Sequence, residues 1–162
     1  RYSPRFYAVS LQYAGNTEEA RDILQESFIK IFENLESFSH NGSFEGWMRR
    51  IVVNTALERY RNRYYLNRVD DIEAAEEPVT DPGETDFAGL EAYDLLKMIM
   101  ELPPKYRMVF NLYAIEGYTH KEISEMLRIS EGTSKSNLSR ARDILQRKVK
   151  IYTGISRSVI NV

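Results

Sequence analysis

Apolar residues recur three and four positions apart along most of the chain, the period of helices with one buried face. In TEEARDILQESFIKIFENLESF, residues 17–38, Leu24, Phe28, Ile31 and Leu35 make one such stripe, which predicts a helix opened by Thr17 and the acids Glu18 and Glu19. Outside the stripe lie Asp22, Gln25, Glu26, Ile29 and Glu33, a polar face with one isoleucine in it. Such a face is either solvated or the surface for a partner. The turn-rich FSHNGSFEG comes next, and then WMRRIVVNTALERYRNRYY, with Ser43 as N-cap and Ile51, Val52 and Leu57 as its apolar side. The same segment carries a second stripe, Arg50, Asn54, Leu57 and Arg61, with Trp47 one turn earlier.

Further on, LPPKYRMVFNLYAIEGYTH predicts a helix that starts at Pro103 and Pro104, turns Tyr106, Val109, Phe110 and Tyr113 to one side, and stops at Gly117. Thr119 to Glu122 is a capping-box pattern for a short helix burying Ile123, Met126 and Leu127. Ser130 then caps a third helix whose inward residues are Leu138, Ala141 and Leu145. Two short helices joined by a tight turn, the second more polar and basic, are the sequence form of a helix-turn-helix.

Charge divides the chain in three. Residues 1–68 carry 10 Lys/Arg against 8 Asp/Glu, residues 69–95 none against 10, and residues 96–162 12 against 6. The middle, VDDIEAAEEPVTDPGETDFAG, is acidic, holds two prolines and two glycines, and has little apolar surface, which predicts a solvated linker between two helical blocks. The alternative, a surface loop within one domain, would be unusually long. With 43% hydrophobic residues the chain can fill two small cores, and no run approaches a membrane span or a signal peptide, so a cytoplasmic protein is expected. No cysteine and only two isolated histidines, His40 and His120, exclude a disulfide scaffold and thiol catalysis and leave little for a metal site.

The local chemistry points to nucleic acid. From Gly132 to Arg142 there is no acid, only small, hydroxyl, amide and basic side chains around Leu138 and Ala141. Thr133, Lys135, Ser136, Asn137, Ser139 and Arg140 suit a major groove, where arginine grips a guanine edge and amides or hydroxyls meet other edges and phosphates. In the first block, aromatics interleaved with arginines suit unpaired bases, because every base has a stackable face and every nucleotide a charge. Core packing remains open for Trp47, Tyr60 and Tyr64.

The succession EEARDILQESFIKIFENLESF, SFEGWMRRIVVNTALERYR, an acidic linker, and LPPKYRMVFNLYAIEGYTHKEISEMLRISEGTSKSNLSRARDIL resembles the extracytoplasmic-function sigma factors of bacterial RNA polymerase. The resemblance implies an all-α chain of two small helical domains joined by a flexible acidic linker: a region 2-like bundle at 1–68, the linker at 69–88, a region 4-like helix-turn-helix domain at 89–150, and an uninterpreted tail at 151–162. It implies that Asp22, Gln25, Glu26 and Ile29 dock on the clamp helices of the polymerase core. Ser43, Phe44, Trp47, Arg50, Asn54 and Arg61 are then expected to grip the minus-ten element as it opens. Thr133, Lys135, Ser136, Asn137, Ser139 and Arg140 are expected to read the minus-thirty-five element. Implied partners are polymerase core, promoter DNA in duplex and melted form, and an anti-sigma factor; no cofactor, metal, catalytic residue or membrane insertion is implied. Three residues depart from the family's pattern: Arg128 stands where the turn often has glycine, Ser134 where a buried aliphatic is usual, and Glu58 where aspartate is frequent. Two other readings stay open, a sigma-like mimic that only binds an anti-sigma factor and a stand-alone helix-turn-helix regulator.

Overall fold

The computed structural model describes residues 2–66, 82–83 and 86–160, and all regular structure among them is helical. The chain divides into two compact units, residues 1–75 and 76–162. Most of the expected linker at 69–88 lies outside the described residues.

The first unit is a three-helix bundle of α1 (Ser3–Tyr13), α2 (Thr17–Glu33) and α3 (Phe44–Leu66), each packed on the other two. Its core is Phe6, Val9, Tyr13, Ala20, Ile23, Ile31, Val52, Val53, Ala56 and Leu57. Ser10, Ser27 and Thr55 are also buried, and each hydroxyl donates to the carbonyl four residues back, Phe6, Ile23 and Ile51. These small side chains let the helices approach while leaving no buried hydroxyl unsatisfied. The buried stripe of α2 differs from the expected one by one position. Ala20, Ile23, Ser27 and Ile31 face inward, Leu24 and Phe28 are half-buried, and Leu35 is exposed in a following 3-10 turn, Leu35–Ser37. The cap is Asn16, whose side chain accepts from the Glu19 amide at 2.8 Å, so Thr17 is already helical.

The second unit contains α4 (Ala92–Met100), α5 (Pro104–Phe110), α6 (His120–Leu127) and α7 (Glu131–Ile160), with α7 packed against α4, α5 and α6. Between α5 and α6 the chain makes a π-helical turn, Asn111–Ile115, where the Glu116 amide reaches the Asn111 carbonyl at 3.0 Å. The wider turn changes the rotation of the chain beyond Phe110, so Leu112 is buried and Tyr113 is exposed, against the expectation that Tyr113 faces inward. Gly117 ends the segment at φ 79°, where glycine carries no Cβ penalty. Thr119 and Glu122 form the expected capping box. Residues 151–160, the greater part of the expected tail, prolong α7. Tyr152 donates to Asp94 at 2.7 Å, and Lys148 pairs with Glu101, tying this part of α7 to α4.

Candidate nucleic-acid interface

In the second unit, the start of α7 is set by the turn that leads into it. Arg128 closes α6 in the left-handed region at φ 56°, ψ 46°, the conformation glycine would take at this turn without strain. Ser130 then caps α7, its hydroxyl oxygen accepting from the Thr133 amide at 3.0 Å. Lys135 and Ser136 are exposed, and Thr133 and Arg140 are half-buried at the same surface. Asn137 and Ser139 are different, being only 5% and 9% exposed. Because α7 is covered by both α5 and α6, its buried arc is wider than a single helix contact produces, and it takes in Ser134, Asn137 and Ser139 beside Leu138 and Ala141. Of the expected contact set, Thr133, Lys135, Ser136 and Arg140 are the residues that the free chain presents at its surface, and Asn137 and Ser139 are covered.

The first unit offers an aromatic pile beside a cleft. Phe44 stacks on Trp47 with centroids 5.5 Å apart, and Phe38 meets both rings edgewise or tilted at 5.1 and 5.5 Å. All three are half-buried, so Trp47 is neither sealed in the core nor fully free. The loop between Phe38 and Phe44 passes through positive φ at His40, 58°, and Gly42, 109°. His40 packs edge-on against Phe38 at 4.9 Å, and Ser43 caps α3 by accepting from the Gly46 amide at 3.3 Å. Trp47, Asn54 and Ile51 line a cleft of about 300 Å³ with Lys30, Asn34 and Glu58. Arg50 and Asn54 are exposed and Arg61 is half-buried, but Leu57 is buried at 2%, which removes it from the expected stripe. Packing against α1 and α2 decides that position, because Leu57 lies on the side of α3 that also buries Val53 and Ala56.

The expected partner face of α2 is split by an ion network. Arg59 on α3 lies 3.0 Å from Glu26 and 3.5 Å from Asp22, while Lys30 bridges Glu26 at 3.1 Å and Glu58 at 2.6 Å. Burial pushes the Glu26 carboxyl up, but the hydrogen bonds and charges of Lys30 and Arg59 outweigh it and hold the group below the usual range. Burial likewise disfavours the charged Lys30, and its two carboxylate partners outweigh that, leaving its pKa raised. Asp22 and Glu26 are thus turned towards α3, whereas Gln25 and Ile29 remain outward and are joined by Phe32, 69% exposed.

Comparison with known proteins gives the same assignment from both units. The family Sigma-70 region 2 matches residues 1–64, and Sigma-70, region 4 matches residues 93–145. The chain is 32% identical to the ECF RNA polymerase sigma factor SigW of Bacillus subtilis over 92% of this chain and 85% of that protein. It is also 32% identical to the ECF RNA polymerase sigma-E factor of Salmonella typhimurium strain LT2 over 93% of this chain and 83% of that one. The chain belongs to the ECF sigma factors. Among solved structures, the sigma factor RpoE of Bartonella quintana, in complex with the anti-sigma factor NepR, resembles this sigma factor in fold, with TM-score 0.54, 23% identity and 91% of each chain covered.

The surfaces described above also include Lys30, Asn34, Phe38 and Phe32, which the set expected for this sigma factor lacks. The i, i+4 pair of Glu26 and Lys30 was a usable signal for the network. The cleft itself is formed by two helices and a loop, and no local pattern in the sequence shows that Asn34 and Asn54 share it. Among the described residues no group of acids and histidines is arranged to hold a metal, and no helix is long and apolar enough to cross a membrane.

Proposed function

We propose that this sigma factor directs RNA polymerase core to particular promoters by using one surface on core and two on DNA. Gln25 and Ile29, extended by Phe32, dock on the core enzyme. Asp22 and Glu26 set that face by holding α2 on α3. Thr133, Lys135, Ser136 and Arg140 read the duplex upstream element. The cleft beside Trp47 and Asn54, with Ser43, Phe44, Arg50 and Arg61 around it, takes a base of the opened downstream strand. The observation that supports this reading best is the acid-free row that α7 turns to the surface just after a capped bend, because acids there would be repelled by phosphate.

The work is conversion of binding free energy into strand opening, with no covalent bond made or broken by the sigma factor. Unpairing and flipping a base costs a few kcal/mol, and aromatic stacking returns about 1–3 kcal/mol per base. The cleft therefore balances the cost of one base at most, and the polymerase must supply the remaining grip. With formal charge −2 overall, the isolated chain has little electrostatic pull on DNA. The protein then acts in the cytoplasm as a complex with core, and an anti-sigma factor, as in the RpoE relative, is a fitting inhibitor.

Permanganate probing of promoter thymines in the presence of core polymerase tests the cleft. Asn54→Ala and Trp47→Ala should each reduce thymine reactivity in the downstream element while leaving occupancy of the upstream element intact. Unchanged reactivity in both variants would remove the cleft from the opening step.

A further inference from the structure

A buried hydroxyl sits directly under the reading face. Ser134 is fully buried, while its neighbours along the same inward line of α7, Leu138, Ala141 and Leu145, are all apolar. A hydroxyl there with no partner would destabilise the seat of the helix by about 1–3 kcal/mol. The partner is His120, the first residue of α6, whose Nδ1 lies 2.8 Å from Ser134 Oγ. The imidazole is itself held flat against Tyr113, with ring centroids 4.6 Å apart and planes 19° from parallel, and the Arg142 guanidinium lies 5.7 Å from the Tyr113 centroid. The start of α6, the π-turn and the N-terminal part of α7 are thereby joined through a hydrogen bond that crosses from α6 to α7.

We infer that His120 is a positioning residue for promoter discrimination: its hydrogen bond to Ser134 fixes the rotation at which α7 presents Thr133, Lys135, Ser136 and Arg140. Apolar contacts resist separation of two helices but only weakly resist rotation, whereas a hydrogen bond needs one distance and one direction. A turn of α7 by a fraction of its period would move Arg140 off a base edge without unfolding the unit. The geometry also favours a neutral ring. Burial, then the charges of Lys135 and Arg142, lower the His120 pKa, with Glu131 opposing them. Only a neutral imidazole can share a proton with the hydroxyl in either direction.

The inference rests on assigning the α7 face to the upstream element, so that assignment is controlled within the test. Holoenzyme assembled from core polymerase and the full chain is assayed for initiation on a selected promoter and on the same promoter with its upstream element scrambled. Ser134→Ala and His120→Phe should each lower the ratio of the two rates, by roughly three- to tenfold. The combined variant, H120F with S134A, should be no worse than the poorer single one, because both polar partners are then gone. His120→Asn, which places an amide near the Nδ1 position, should recover most of the ratio. In the free chain, the His120 ring nitrogen resonances should shift on Ser134→Ala. An unchanged ratio in both single variants while Arg140→Ala lowers it would overturn the role of His120 alone. Equal losses on both promoters would also overturn it, because they indicate a general loss of folding. An Arg140→Ala variant that keeps full discrimination would overturn the reading-face assignment and this inference together.

Discussion

Replacing Arg107 by methionine should loosen the second unit substantially. Arg107 on α5 is 4% exposed, and its Nη1 donates to the carbonyls of Met100 at 2.9 Å and Leu102 at 3.1 Å. Those carbonyls lie at and just beyond the end of α4, where a helix leaves acceptors without partners and its dipole favours a positive charge. Methionine keeps the length and fills the volume but donates nothing. Hydrogen bonds from a charged donor contribute about 1.5–3 kcal/mol each, and a stranded buried carbonyl costs a similar amount, so the variant should lose roughly 3–5 kcal/mol. Residues 76–162 as a unit are expected to hold on the order of 4–13 kcal/mol in all, so much of the margin disappears. Residue-resolved hydrogen exchange is the suitable assay, since the amides of α3 in the other unit serve as the reference. Protection in α4, α5 and the adjoining part of α7 should fall by roughly two to three and a half orders of magnitude, at about 1.4 kcal/mol for each. Arg107→Lys, which keeps the charge but not the forked geometry, should fall between. Protection unchanged in α5 would refute the assignment of Arg107 as the cap of α4.

Arg128→Gly should stabilise the helix-turn-helix by about 0.5–1 kcal/mol, read as a higher denaturant midpoint at unchanged slope, because the left-handed conformation no longer carries a Cβ. Arg59→Ala should cost only about 1 kcal/mol, since its partners Glu26 and Asp22 are substantially exposed, and the loss should shrink in high salt. Glu26 has a folded pKa below its usual value of 4.5, so its contribution is present at neutral pH and lost as pH falls below that value; acid titration of the stability of Glu26→Gln against the parent should converge at low pH. Arg140→Ala should lower initiation from its own promoters by about 1–3 kcal/mol equivalent, measured as the ratio of rates on intact and altered upstream elements.

The helical class, both units and the capping of α6 and α7 were legible from spacing alone, because Thr119, Glu122 and Ser130 act on neighbours within one turn. What required coordinates depends on which side of a helix is covered, and by how many others. Leu24 was indistinguishable from Ile23 by period, and α1 on one side and α3 on the other decided between them. The π-turn after Phe110 shifts the rotation of the chain locally, so Tyr113 leaves the expected face, whereas Ile123, Leu127, Leu138, Ala141 and Leu145 further on are buried as expected. Neither α1 nor α4 was among the expected helices, although Leu95, Met98 and Ile99 give α4 a helical apolar spacing of its own. For the candidate interface, the burial of Asn137 and Ser139 has no signal in residue type, because it follows from the cover of α7 by both α5 and α6. Lys30 and Asn34 stand outside any local pattern because the cleft they line is a meeting of distant segments.

Transcription by purified core polymerase with this chain on a library of randomised promoters tests the account at its centre, since it demands both DNA grips and the core-binding face at once. The expected result is initiation that requires the chain and selects templates sharing two separate sequence blocks, with Arg140→Ala relaxing the upstream block and Asn54→Ala the downstream one. Transcripts independent of the chain, or selection of a single block that the chain binds just as tightly without polymerase, would contradict it.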